Sequence, residues 1–265
     1  TGIYHNYYMV DGIVDQSISG AIKYEGEYYK VDAGEVDTSY TGPWTYNGTT
    51  YYLINGHTNK NMNGPVKNKG YWYYVKNGLV INKNTVVYFN GDWYYIHNGK
   101  LDKDYTGLVD YNGKTYYIVD GVVNHSCNGL TYINGEWCYI VNGVLDTGYS
   151  NLILYNGTWY YVENGKINWH YTNLVQYYGT WYYVENGQIN WNKNTLCQVN
   201  GHGTWYYVEN GKINWNYQGL TYFNNEWYYI HNGVHQTNYS SLVLYNGTWY
   251  YVKNGKIDWH YTNLV

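Results

Sequence analysis

A unit of about 22 residues recurs twelve times along this 265-residue chain, and little else is present. The clearest copy reads Trp159-Tyr160-Tyr161-Val162-Glu163-Asn164-Gly165-Lys166-Ile167-Asn168-Trp169, followed by Tyr171-Thr172-Asn173-Leu174-Val175. The copies are anchored at Asn6, Tyr28, Thr50, Trp72, Trp93, Thr115, Trp137, Trp159, Trp181, Trp205, Trp227 and Trp249. The spacing is 22 residues, except 21 before Trp93 and 24 before Trp205. A unit this short cannot bury a core alone, so neighbouring units must supply its missing wall. One repeat array over residues 1–265 is therefore expected, in place of the one or two globules that length alone suggests. The chain begins mid-pattern at Thr1 and stops after Leu264-Val265, as a portion of a longer protein would.

Two turn signals recur in each unit. Asn or Asp followed by Gly stands five residues after the anchor in eleven of the twelve units, with Ala33-Gly34 as the exception. A type I′ turn needs two positive φ angles, which Asn-Gly supplies. The second signal precedes the anchor, as in Asn47-Gly48, Asn90-Gly91, Asn156-Gly157 and Asn246-Gly247. A Gly or Asn corner follows later, at Gly107, Gly129, Asn173, Gly219 and Asn263. No helical period is present. The pattern predicts an all-β fold, with each unit a hairpin of two short strands plus an irregular or strand-like link. Strand alternation puts Trp159 and Tyr161 on one face, and Tyr160 and Val162 on the other. One face must stack on a neighbour, and the other is free to meet solvent.

Composition narrows the chemistry. There are 42 Tyr and 13 Trp but only 2 Phe, so the rings need a polar edge. They are either half-buried or placed on a wet binding surface. Aliphatic residues are sparse, which predicts a thin, aromatic core. Charged residues make up 13% of the chain, the net charge is −4, and every basic residue is Lys. Nucleic-acid readers need a basic face rich in Arg, so nucleic acid is not the expected partner. No run of about 20 apolar residues is present to span a membrane as a helix. Cys127 and Cys138 stand where other units carry Tyr. Either they are drift at core positions or they form a disulfide; Cys197 leaves the count odd.

Catalysis finds little support. Glu163, Glu185 and Glu209 flank solvated hairpin tips, and Lys76 and Lys253 stand in their place elsewhere. His231 and His235 have metal-like spacing only on a helix, and Asn232-Gly233 makes a turn between them. No nucleophile elbow or phosphate loop appears, and no cofactor or metal is expected. The Asn-Gly-Thr triplets at Asn47, Asn156 and Asn246 match a glycosylation sequon but coincide with a turn that the fold requires.

Trp-Tyr-Tyr, a Gly-tipped hairpin, a corner and the next Gly-x-Trp-Tyr-Tyr resemble the cell-wall-binding repeats of Gram-positive bacteria. That group comprises choline-binding modules and the related glucan-binding repeats. The resemblance covers the whole chain. It implies an elongated solenoid of about twelve stacked β-hairpins, with ligands held between consecutive hairpins by two or three rings. In choline binders the ammonium is held by cation–π attraction, and in glucan binders the rings stack on sugar faces. Trp159, Trp181, Trp205, Trp227 and Trp249 match the family's strand Trp. Tyr161, Tyr183, Tyr207, Tyr229 and Tyr251 match its strand Tyr. The family's corner Trp is absent, with Leu108, Leu130, Leu174, Leu220 and Leu264 in its place, which leaves choline specificity open.

Other rings are available. Trp169, Trp191, Trp215 and Trp259 lie ten residues after their anchors, and Tyr171, Tyr217, Tyr239 and Tyr261 lie twelve after. The position of Trp169 holds Gln16, Lys60, Asn82, Lys103, His125 and Thr147 in other units, so it reads as exposed. An exposed Trp at regular pitch reads as a ligand contact. The candidate ligand-binding set is Trp159, Tyr161, Trp169, Tyr171, Trp181, Tyr183, Trp191, Trp205, Tyr207, Trp215, Tyr217, Trp249, Tyr251 and Trp259. The expected function is non-catalytic binding of a cell-envelope or extracellular glycan polymer by a secreted or surface-attached bacterial protein. Two alternatives stand beside it: a module for choline on teichoic acid, and a spacer or protein-binding adhesin without a small ligand.

Overall fold

A computed structural model describes residues 1–262; the expected corner residues Asn263 and Leu264 lie outside them. Among the described residues there are 36 β-strands, three per repeat, and a single short 3-10 turn at Val199–Gly201. The all-β hairpin-repeat fold is present as the sequence pattern requires.

The Trp159 repeat gives the plan. Its first strand is Asn151–Tyr155, its second Thr158–Glu163 and its third Lys166–Ile167. First and second strands pair antiparallel, with Leu152 opposite Tyr161 and Leu154 opposite Trp159. Second and third pair through Val162 opposite Ile167. Both tight turns are left-handed at two positions: Asn156 and Gly157 have φ of 46° and 81°, and Asn164 and Gly165 have 50° and 78°. The link between hairpins is thus a regular five-residue strand, so each repeat has three strands and not two. Its alternation is genuine, since Leu152 is buried and Leu154 exposed.

The chain forms two compact units. One comprises Thr1–Asn128 with Val141–Leu145, and the other comprises Gly129–Ile140 with the chain from Asp146 onward. In the second unit both faces of the Trp-Tyr-Tyr strand are covered, in contrast to the solvated face expected from alternation. Trp159 and Tyr161 pack with Leu152 against Val175, Tyr177 and Val184 of the following repeat. Tyr160 and Val162 pack with Ile167 against Leu130, Trp137 and Tyr139 of the preceding one. The physical reason is that a three-stranded repeat has two apolar faces and a neighbour on each side. The first unit packs likewise, with Val86 and Tyr95 against Ile118 and Val123.

The fully buried positions are aliphatic rather than aromatic. Leu53, Val75, Ile118, Ile140, Val162, Val184, Val208 and Val252 have 0% exposure. Most of them follow directly after the aromatic pair. Each such side chain contributes about 1.5–3 kcal/mol by leaving water. Rings form the collar around this narrow aliphatic line.

Backbone bonds join consecutive repeats. The Tyr161 N–H donates to the Gly187 carbonyl at 2.8 Å, and the Gly187 N–H donates to the Tyr171 carbonyl at 2.9 Å. Tyr160 stands opposite Gln188, the first residue of the next repeat's third strand. Thr172 Oγ1 accepts the Asn186 N–H at 3.1 Å, so a hydroxyl before the corner anchors the following hairpin tip.

Candidate ligand-binding site

The structure separates the candidate rings into three environments. The strand Tyr and the later Tyr meet in the seam between repeats. Tyr161 and Tyr171 stack at 3.7 Å, Tyr207 and Tyr217 at 3.9 Å, and Tyr251 and Tyr261 at 3.8 Å. Burial pushes the Tyr171 phenol up to about 12 and raises Tyr217 as well. The Tyr217 hydroxyl donates to the Leu220 carbonyl at 2.8 Å. Tyr183 has Lys193 in place of a second Tyr, with the ammonium 5.1 Å from its ring centroid. These faces are engaged by the protein itself.

The anchor Trp residues form the second environment. Trp159 is half-buried and meets Tyr177 of the next repeat edge-on at 5.1 Å. Trp181 packs on Leu174 and Val208, and Trp205 lies 5.3 Å from Phe223. Trp205 also lines an open groove of ≈ 620 Å³ with Thr204, Thr237 and Tyr239. Trp249 is exposed.

The third environment belongs to the late Trp residues, and here the expectation of exposure holds. Trp169, Trp191, Trp215 and Trp259 are 44%, 41%, 45% and 65% exposed. Each sits at the apex of an Asx turn. Asn168 Oδ1 accepts the His170 N–H at 2.9 Å around Trp169, while its Nδ2 donates to Glu163 at 2.7 Å. Asn190 and Asn214 hold Glu185 and Glu209 in the same way, both at 2.6 Å. A carboxylate is therefore fixed beside three of the four indoles.

Each late Trp stands perpendicular to the first Tyr of its own pair. Tyr160 and Trp169 are 5.8 Å apart at 83°, Tyr182 and Trp191 5.9 Å at 87°, Tyr206 and Trp215 5.7 Å at 78°, and Tyr250 and Trp259 6.1 Å at 84°. Two aromatic walls thus meet in an open corner. The residues Tyr160, Tyr182, Tyr206 and Tyr250 are absent from the set expected from sequence. Alternation does place them on the opposite face from Tyr161, but only the folded third strand brings the indole round to that face.

One corner already holds a cation. The Lys212 ammonium lies 5.4 Å from the Tyr182 ring centroid and 5.3 Å from that of Trp191. Such distances are within the range of cation–π attraction. In this protein an ammonium and a corner are geometrically matched.

His231 and His235 lie on two strands of one hairpin, with His231 opposite Val234 and Ile230 opposite His235. His235 is buried and its Nε2–H donates to the Gly255 carbonyl at 3.1 Å. Burial pushes its imidazole pKa down, so it is neutral at physiological pH. Among the described residues, no three His, Cys, Asp or Glu side chains are grouped to hold a metal ion. No disulfide joins Cys127 to Cys138, and Cys138 is buried at a core position. No described helix is long and apolar enough to cross a membrane.

A family model described as a choline-binding repeat matches eight stretches: residues 61–81, 82–102, 104–124, 148–168, 171–190, 192–214, 216–236 and 238–258. Together they cover more than half of the chain. Trp169, Trp191 and Trp215 lie in the joints between these stretches, and Trp259 directly follows the last one. No curated protein matches the chain. Among solved structures, CbpJ from Streptococcus pneumoniae TIGR4 is 21% identical over 95% of this chain and 96% of its own, with a TM-score of 0.38. CbpF in complex with ipratropium is 19% identical over 97% of both chains, with a TM-score of 0.40. Alternansucrase in complex with isomaltotriose is 21% identical over 57% of this chain and 12% of its own, with a TM-score of 0.27.

Proposed function

The chain belongs to the choline-binding repeat family, and on that footing we propose that it is a non-catalytic module that holds quaternary-ammonium groups displayed on a cell-envelope polymer. The observation that carries this reading is the perpendicular indole–phenol corner, one copy of which already accommodates an ammonium. A trimethylammonium group is a weakly hydrated cation, so it gives up little to water on entering such a corner. Cation–π attraction at an exposed site is worth about 0.5–1 kcal/mol, rising to about 2 when the cation is desolvated. The carboxylates of Glu163 and Glu209 add a favourable field beside Trp169 and Trp215.

Single sites of this kind are weak. A polymer that engages several corners gains roughly 10²–10⁴-fold through effective concentration. The repeats act on this reading as one array of a secreted or surface-attached bacterial protein, anchoring it to choline-bearing envelope polymer. The seam tyrosines, Tyr161, Tyr171, Tyr183, Tyr207, Tyr217 and Tyr251, keep the corners at fixed pitch. The anchor indole Trp205 walls an adjoining groove.

A second reading has its own support. Trp249 and Trp259 are 62% and 65% exposed, and bare indole faces also stack on sugar rings. Titration of the protein with choline separates the two. Tryptophan emission should change saturably, and Trp169→Ala together with Trp215→Ala should remove most of the change while far-ultraviolet circular dichroism stays the same. Retention on insoluble glucan with no response to choline would transfer the function to glycan stacking. Silence towards both would leave a spacer.

A further inference from the structure

We propose that Lys212 is a built-in occupant of the Trp191 corner, closing it to external ammonium ligands and leaving the Trp169 and Trp215 corners open; this rests on the choline reading above. The four corners have nearly the same ring geometry, so the difference must come from what stands in front of them. The residue opposite the corner Tyr is supplied by the third strand of the following repeat. It is Gln188 opposite Tyr160, Lys212 opposite Tyr182 and Val234 opposite Tyr206. Neither an amide nor an isopropyl group supplies a cation.

Two further residues show what sets Lys212 apart. Lys166 and Lys256 occupy the same register position in other repeats, opposite Cys138 and Tyr228. Each pairs with a carboxylate that stands just before the anchor, Glu136 and Glu226 respectively, and the Lys256 ammonium, 5.0 Å from the Tyr228 ring centroid, is neutralised where it sits. The corresponding residue for Lys212 is Thr180, which offers no charge. Among the described residues Lys212 forms no ion pair, and its ammonium settles over Tyr182 and Trp191.

The carboxylates follow the same division. Glu185, beside Trp191, is paired with Lys193 at 2.8 Å. Glu163 and Glu209, beside Trp169 and Trp215, form no ion pair among the described residues. The Trp191 corner thus carries an extra ammonium over its rings and a neutralised carboxylate beside them. An external cation would meet repulsion there and attraction at the other two.

The test uses the full chain labelled with fluorotryptophan, with resonances assigned by single Trp→Phe substitutions, and choline chloride as the probe. In the unaltered protein, choline should shift the Trp169 and Trp215 resonances and leave Trp191 in place. In Lys212→Gln, which installs the residue found at position 188, Trp191 should shift as well, with a midpoint within about threefold of that of Trp169. The reciprocal variant Gln188→Lys should weaken the Trp169 response at least tenfold and leave Trp215 unchanged. Two results would overturn the proposal. One is a Trp191 shift in the unaltered protein at the concentrations that move Trp169. The other is a silent Trp191 in Lys212→Gln while Trp169 still responds. If no resonance moves in any of the three proteins, the choline reading itself has failed, and the gating falls with it.

Discussion

At the scale of single residues, the preference for Tyr over Phe has a specific cause. The later Tyr of many repeats buries its ring yet keeps its hydroxyl bonded. Tyr105, Tyr149 and Tyr217 donate to the carbonyls of Leu108, Leu152 and Leu220 at 2.9, 2.7 and 2.8 Å. A Phe would leave each carbonyl without this donor, at a cost of about 1 kcal/mol. Burial holds the Tyr149 and Tyr171 phenols up at about 12, against an unfolded value of about 10. The folded state then grips these protons more tightly than the unfolded one. Stability is fully present below pH 10 and is lost as pH rises through about 12. Urea midpoints measured across that window should fall in step with tyrosinate absorbance, and Tyr171→Phe should flatten the decline. The need for a polar edge on each ring was legible in composition. Which rings are sealed was not, because Tyr161 and Trp169 are equally aromatic in the sequence and only their packing tells them apart.

At the scale of elements, the hairpin tip is where repeats touch most closely. A Cβ on Gly187 would lie 2.6 Å from the Asn168 carbonyl oxygen, whereas one on Gly157 meets nothing within 4 Å. Both glycines have positive φ, at 74° and 81°. Gly157→Ala should therefore lose only the left-handed penalty, about 1–2 kcal/mol. Gly187→Ala adds a clash with backbone that cannot rotate away, and should cost at least ~1 kcal/mol more, measured by chemical denaturation. It should also disturb Trp169, whose Cα would lie 3.0 Å from the added methyl carbon. Turns written Asn-Gly could be read directly from sequence. Those written Glu25-Gly26, Lys69-Gly70 and Tyr178-Gly179 adopt the same left-handed pair, with φ of 47°, 48° and 45° at the first residue. There the repeat period imposes the turn against local preference. The link was expected as irregular or strand-like; the fold makes it a full strand by pairing it with the second strand of its own repeat, Leu152 opposite Tyr161.

At the scale of the whole molecule, the core among the described residues is divided into separate clusters. Each hydrophobic cluster spans two consecutive repeats, as Leu152 and Tyr161 do with Val175, Val184 and Ile189. Stability is then a sum of neighbour terms. Leu152→Ala should cost about 2–5 kcal/mol locally. Hydrogen exchange should quicken in amides around Tyr161 and Val184, and stay unchanged around Val75, which belongs to a separate cluster and the other compact unit. Repeat number and hairpin chemistry were legible because they recur; which corners stand open was not, because the side chain in front of each corner comes from the following copy. Tyr182 and Lys212 illustrate this, for the lysine that shuts one copy's corner is encoded in the next copy. Unequal crossing-over between such copies would change which side chain faces which ring. A gene of this kind could gain or lose working sites by recombination alone, without a single codon being rewritten.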